Sequence, residues 1–374
     1  MPTGDIMKLK DFRWSTGVFL ILSPLGAAAA LAWYFYYDAF QWQTVTWAVF
    51  MAFATGMGIT VGYHRLFSHK SYEAAAPIRW LLTFFGAGAL EKSVIEWSHD
   101  HRNHHRFVDT DQDPYSINKG FFHAHIGWLF VKRGTNGRAK VDINQVKDLW
   151  ADPFIRFQHN YYTAFGLFVC FLFPGLVALA WGDFWGGVLI AGLVRVVVVH
   201  HGTFCINSIC HSIGQQPYSS RHTARDSWIS ALFTFGEGYH NYHHEYPADY
   251  RNGIRAWQYD PSKWMIWTLS KLGLASNLIR MPDEKILESK LEMKASRVDS
   301  AHRSGLEANM EEFSRVASEL KQTRKAYMKA RKEKAPATAD LEKTLKRNRK
   351  ALLAAYKSQK SRIRMAGRSA VSAA

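Results

Sequence analysis

Three stretches of this chain run without a charged residue for the length a bilayer core demands, about 20 residues. They are Trp14 to Tyr37, Ala39 to Tyr63 and Asn160 to Gly182. A fourth, Phe184 to Asn207, is interrupted only by Arg195 and the pair His200–His201. A buried helix of a soluble protein rarely stays uncharged that long, so the pattern predicts four membrane spans at 14–37, 39–63, 160–182 and 184–207. Little more than Asp38 separates the first two, and Gly182-Asp183 the last two, which makes two tight helical hairpins turning on one side of the membrane. Both turns are acidic. The opposite side holds Lys8, Lys10, Arg13, Arg65, Lys70, Arg102, Lys132 and Arg133, so the positive-inside bias puts both termini and the middle loop in the cytoplasm. Basic residues ahead of an Ala-rich run at 27–30 partly match a signal peptide, but the continuation Trp33-Tyr34-Phe35 favours an uncleaved span. Residues 78–95 are apolar, yet Arg79 and Glu91 bracket only eleven uncharged positions. That is too short to cross, and an interfacial or cap helix is expected. Further on, Leu306, Phe313, Leu320 and Tyr327 recur every seven residues, and Leu341, Leu345, Leu352 and Tyr356 follow a break at Pro336. A helical hairpin or coiled-coil segment follows from that spacing.

Composition changes this picture in two places. Hydrophobic residues at 48% and aromatics at 14% exclude disorder over most of the chain. The net charge of +16 is segregated, because residues 283–374 hold 23 Lys and Arg against 12 Asp and Glu, a surplus of +11. The division expected is a membrane domain, 1–282, with a helical cytoplasmic cap from 64–159 and 208–282, and a basic helical tail, 283–374. Such a tail suits anionic lipid or a protein partner; nucleic acid is not the expected partner. Cys170, Cys205 and Cys210 provide neither a disulfide framework nor a paired zinc motif.

The 17 histidines are the chemistry-bearing feature. They cluster as His64-x4-His69, His101-x2-His104-His105, Asn207-x3-His211 and His240-x2-His243-His244, with His200–His201 left over. At this histidine content one H-x2-H-H arises by chance in roughly 3% of chains and two in well under ~0.1%, so isolated satisfied histidines are a poor account. Positions i, i+3 and i+4 share a helix face, so each trio can point at one centre. His64 and His69, five apart, converge only if the second span unwinds after Tyr63. Imidazole suits iron, zinc, copper and nickel alike. The all-nitrogen set argues against magnesium or calcium, and structural zinc closes with four ligands, thiolates among them. Nine histidines and one asparagine are too many for one metal. A redox-active dinuclear centre fits the count, with iron as its expected occupant.

The motifs HRLFSH (64–69), HRNHH (101–105), NSICH (207–211) and GEGYHNYHH (236–244) resemble the histidine boxes of membrane acyl-CoA desaturases of the stearoyl-CoA (delta-9) type. The segments GITVGYHRLFSHKSYEA, EWSHDHRNHHRFVDTDQDP and HNYHHEYPADYRNG extend the likeness over roughly residues 15–280. The resemblance implies two irons held by His64, His69, His101, His104, His105, His211, His240, His243 and His244, with Asn207 reaching one of them through water. His123, His125, His159, His200, His201, His222 and His302 are then not ligands. Asp100, Asp109, Asp113, Asp226 and Glu237 flank the boxes and are candidates to hold the outer imidazole N–H groups.

The same resemblance implies an acyl tunnel lined by Trp97, Lys119, Lys132 and Arg133 near the CoA phosphates, and a tunnel end against Ala48, Ala52 and Thr55. For each, packing or charge bias is the competing reading. The implied reaction is O2-dependent desaturation of a saturated acyl chain at carbons 9 and 10. No His-Pro-Gly-Gly haem signature occurs here, so electrons are expected from a separate donor, a ferredoxin-like protein or a cytochrome with its reductase. Acyl-carrier-protein and glycerolipid desaturases share the boxes, and a diiron hydroxylase or ketolase shares the ligands. A metal transporter would instead carry ionisable groups within its spans. The fold expected throughout is all-α.

Overall fold

The computed structural model describes residues 12–37, 40–131, 141–296 and 304–372. The main helices are α1 (Trp14–Tyr36), α2 (Trp42–Ser68), α3 (Ala76–Ala87), α4 (Val94–Phe107), α5 (Tyr162–Trp181), α6 (Phe184–His211), α7 (His240–Glu245) and α8 (Pro261–Lys271). Helices α1, α2, α5 and α6 are long and apolar enough to cross a bilayer. The outer face of α1 exposes Val18, Ile21, Leu22 and Leu25, whereas its inner face buries Gly17, Ala27 and Ala30. In water that exposed face would be a liability; against lipid it is the expected surface. At the hairpin end, Asp183 is buried. It accepts from Tyr34 Oη at 2.9 Å, from Thr44 Oγ1 and from the backbone N–H of Gly186 at 2.8 Å. This carboxylate, expected in an aqueous turn, therefore ties both helices of one hairpin to the other.

The second span departs from the expected pattern. It does not unwind after Tyr63 but continues to Ser68, with Gly58–Ser68 widened into a π-helix. In an α-helix residues five apart lie about 140° from each other, whereas i→i+5 bonding stacks them. The bond from His69 N to His64 O, 3.0 Å, is of this kind and brings both imidazoles to one side. The widened helix packs closely on α3: a Cβ on Gly58 would meet Gly86 N at 2.3 Å, and one on Gly62 would meet Leu82 Cβ at 3.0 Å.

Residues 78–95 also differ from the single cap helix expected. Helix α3 ends at Ala87 beside Gly86 and Gly88, and α4 starts afresh behind Ser93, whose side chain caps Glu96 N. In the turn between them Leu90 (φ 54°) and Lys92 (φ 86°) adopt left-handed backbone conformations unusual for residues with a Cβ. Arg65, expected among the loop charges, is buried. Its guanidinium donates to Glu237 Oε1 at 2.9 Å and to Tyr250 O at 2.8 Å, and pairs with Asp260 at 3.0 Å.

A second compact unit comprises Gln216–Arg221 together with α9 (Asp283–Ala295), α10 (Ser304–Lys332) and α11 (Thr338–Ser372). Helices α10 and α11 form an antiparallel pair, with Asn348 Nδ2 donating to Thr323 Oγ1 at 2.9 Å. Leu291, Phe313, Leu320, Leu352 and Ile363 form a core of their own. The seven-residue spacing of Phe313 and Leu320 is the stripe that enters it.

Close backbone approach at Gly58 makes a specific prediction. Gly58→Val should lower the unfolding temperature of purified protein, at a cost of about 1–3 kcal/mol or more from overpacking against backbone that cannot yield. Gly202→Ala, whose added Cβ meets only Phe233 O at 3.5 Å, should leave it nearly unchanged.

Candidate metal centre

Nine histidines converge in two buried groups. His64, His69, His101, His105 and His243 form one, and His104, His211, His240 and His244 the other, with ligand nitrogens within 4.8 Å of one another in each. Each H-x2-H-H trio is therefore split between two centres rather than aimed at one. The reason is angular. On a helix i and i+4 are about 40° apart, while adjacent residues are about 100° apart. His101 and His105 thus face one way and His104 the other; His240 and His244 pair likewise, leaving His243 to the first group.

The outer nitrogens are anchored. His64 Nδ1 lies 3.0 Å from Glu237 Oε2, and His104 Nδ1 lies 2.9 Å from Asp113 Oδ1. His211 Nδ1 lies 2.8 Å from Thr223 Oγ1, which itself donates to Asp109 Oδ1 at 2.7 Å and so can only accept from the imidazole. Of the other flanking carboxylates, Asp100 takes Lys92 Nζ at 2.5 Å and Asp226 accepts from Tyr242 N at 3.0 Å, at the start of α7.

A neutral imidazole carries one proton. With Nδ1 protonated on His64, His104 and His211, their Nε2 atoms present bare lone pairs to the centres. His64 Nε2 faces His243 Nε2 at 3.0 Å and His104 Nε2 faces His244 Nε2 at 3.2 Å; the buried His211 Nε2 has no hydrogen-bond partner. His243 Nε2 is also 2.9 Å from His105 Nε2, so one proton cannot serve every contact. Burial, then the neighbouring imidazoles, pushes His69, His101, His105, His243 and His244 well below the usual histidine range, and His240 down to about 3. Neutral, convergent and short of protons, these groups fit metal cations. Burial raises the Glu237 carboxyl, but Arg65 and His64 outweigh it and bring it to about 2, so an anion stands behind the first group.

Beside the centre lies a cavity of about 770 Å³, bordered by Phe19 and Leu20 of α1, Ile59 and Thr60 of α2, and Thr203 and Phe204 of α6, and reaching His64, His101, His104 and His240. Trp97 is on its wall, stacked on His101 with ring centres 4.9 Å apart. Asn207 also borders it, one turn before His211. Ala48 and Ala52 are half-buried, and neither is among the residues bordering the cavity. Lys119 is exposed and donates to Asp111 O at 2.8 Å; Lys132 and Arg133 lie outside the described residues. The remaining histidines are outside the two groups: His200, with Nε2 2.6 Å from Ala89 O, and His159, with Nδ1 2.7 Å from Ser93 Oγ, border the cavity, and His125 and His201 pair at 3.1 Å. His222 lies against His244, with ring centres 5.2 Å apart, and His302 is outside the described residues. Sequence reasoning missed Glu91, Thr203 and Thr223, which sit in no box, and the anchoring role of Arg65, although it directly follows a box histidine.

Four spans, with two buried polyhistidine groups at the ends of two of them and on the segments that follow, define a multi-pass membrane protein with a metal-binding centre. Residues 40–273 match the family model "Fatty acid desaturase", and the chain belongs to that family. It is 45% identical over 260 residues to a "Probable acyl-CoA desaturase" of Schizosaccharomyces pombe, covering 69% of this chain and 54% of that protein. It is 41% identical over 273 residues to "Acyl-CoA desaturase 1" of Saccharomyces cerevisiae, covering 72% and 53%. To human "Stearoyl-CoA desaturase" it is 34% identical over 279 residues, covering 74% and 77%. The match thus spans about half the length of the two yeast relatives.

Anchoring of the imidazoles can be tested apart from the ligands. Asp113→Ala removes the acceptor for His104 and should weaken metal retention about 10- to 100-fold in chelator competition, with the helical spectrum unchanged.

Proposed function

We propose that the chain catalyses O2-dependent desaturation of a saturated fatty acyl-CoA. The carrying observation is the cavity, which runs from apolar positions on α1, α2 and α6 directly to four of the nine clustered histidines. Two irons suit the centre, one in the five-histidine group and one in the four-histidine group, with Asn207, at the cavity border, as the candidate to reach one of them through water. When bound, iron supplies O2 activation with two electrons from a reduced donor protein, removal of two hydrogens from adjacent carbons, and release of both oxygens as water.

The chain's own residues do the rest. Glu237, Asp113 and Thr223 hold the Nδ1 protons and so keep Nε2 directed inward. Trp97, packed on His101, sets how closely an acyl chain approaches the ligand shell. The apolar part of the wall, with Phe19, Leu20, Ile59 and Phe204, excludes water and fixes which carbons lie beside the histidines; the relatives named "Delta(9)-fatty-acid desaturase" support carbons 9 and 10. Lys119, Lys132 and Arg133 are the candidates to meet the CoA phosphates. In this reading the histidine end and the basic residues face the cytoplasm, residues 1–282 are the desaturase domain, and the tail docks to anionic headgroups or a partner.

Purified protein given iron, stearoyl-CoA, O2 and a reducing donor should retain about two irons per chain by the ligand count and form a mono-unsaturated eighteen-carbon product. His104→Ala or His243→Ala should abolish turnover while leaving membrane insertion intact. An oxygenated product would replace this reading with hydroxylation.

The tail is separable in this account, because its helices build their own core. A chain ending at Arg280 should keep its metal content and lose affinity for anionic vesicles or for the donor. Loss of iron on truncation would make the tail part of the catalytic body.

A further inference from the structure

Glu91 is a carboxylic acid in the wall of a cavity read above as the seat of an acyl chain, and nothing in the proposed reaction uses it. Its position is built. The turn that carries it has left-handed backbone at both neighbours, Leu90 and Lys92. Three side chains from the spans hold this turn: Arg195 Nη1 donates to Gly88 O at 2.6 Å, His200 Nε2 reaches Ala89 O at 2.6 Å, and Lys92 N donates to Tyr162 Oη at 2.9 Å. An intramembrane arginine spent on a turn carbonyl marks that turn as a feature the fold maintains.

The carboxyl itself is poorly compensated. Trp97 Nε1 donates to Oε2 at 3.2 Å and the Thr203 hydroxyl lies beside the group, while Oε1 is buried without a hydrogen-bond partner. Among the described residues no lysine or arginine forms an ion pair with it: Lys92 is taken by Asp100 and Arg195 by carbonyl oxygens. A carboxylate in this place would be desolvated by an incoming alkyl chain with no cation to offset the loss.

We propose that Glu91 works as an uncharged acid in the acyl-chain cavity, so that an apolar chain is accepted only while this side chain is protonated. The inference rests on the acyl-CoA reading and adds to it a selectivity element: the stretch of wall that Glu91 forms beside Trp97 and Thr203 is uncharged in one protonation state and repels a chain in the other. Burial already pushes the group up to about 7, with Thr203 and Trp97 pulling the other way. It is neutral below that value and charged above it, so affinity for the chain falls as pH rises.

The titratable groups facing Glu91 are Tyr63 on α2, Tyr162 on α5, and Arg195 and His200 on α6. Around its own turn they are Lys92, Glu96 and Asp100, with His159 behind Ser93. All survive in Glu91→Gln, so any pH dependence that belongs to them survives too.

The test is equilibrium binding of stearoyl-CoA to full-length, metal-loaded protein without a reductant, from pH 7 to 9. The apparent Kd of the parent should rise about tenfold per pH unit above ~7, as the competent fraction falls. In Glu91→Gln, which keeps the shape and no charge, it should stay flat, and coenzyme A lacking an acyl chain should bind both proteins alike at each pH. Difference infrared spectra of the parent with substrate at pH 8 should hold a protonated-carboxyl band. A flat parent titration, an equal slope in Glu91→Gln, or absence of that band overturns the proposal, and the first and last need no variant to fold. No binding of stearoyl-CoA at any pH would instead remove the substrate reading itself.

Discussion

Nine imidazoles crowded into a buried volume, with more inward nitrogens than protons to place between them, is the constraint on which this structure depends. Lone pairs at about 3 Å repel, and burial denies the protons that would relieve them. Such an arrangement is costly as an empty cluster and favourable around cations. It also requires anions behind it. Glu237 and Asp113 supply them, and Thr223 passes the influence of Asp109 to His211. Arg65, itself fully buried, pairs with both Glu237 and Asp260, so the three charges form a network that keeps one net negative charge near the first group rather than an isolated pair.

Helix geometry turns that constraint into architecture. Splitting each trio across two centres follows from the 3.6-residue period, and one helix from each side then serves both groups. The π-helical end of α2 solves the harder problem of two histidines five apart. The widening occurs where glycines let α2 and α3 approach to backbone contact, and packing supplies what the i→i+5 ladder lacks in intrinsic favour. Directly after this close approach α3 ends at Ala87, and the left-handed turn that follows places Glu91 in the cavity wall.

The spans contribute more than an anchor. Asp183 joins the hairpins at one end of the bundle, and Arg195 and His200 reach from α6 to the carbonyls of the α3–α4 turn near the other. Polar groups in the apolar bundle are satisfied chiefly by backbone oxygens or by one another, as an environment without water demands. Arg195 and His200 thereby tie the turn that carries part of the cavity wall to α6, which itself ends at His211 of the second group.

By itself the sequence determined the four spans, because charge-free runs of that length have no other stable setting, and the nine histidines, because repeated H-x2-H-H trios with matching boxes are too specific for chance. The heptad spacing of Phe313 and Leu320 likewise announced the helical pair of the tail. Only the tertiary structure decided how the histidines divide, since spacing defines a face but not which of two partners the face meets. It alone turned Arg65 from a loop charge into a buried strut, and Asp183 from an aqueous turn residue into a clamp, because burial depends on what packs above a residue. Glu91 and Thr223 lie outside every motif. Their roles come from residues more than a hundred positions away, Thr203 beside the one and Asp109 beneath the other, and such contacts leave no local pattern to read.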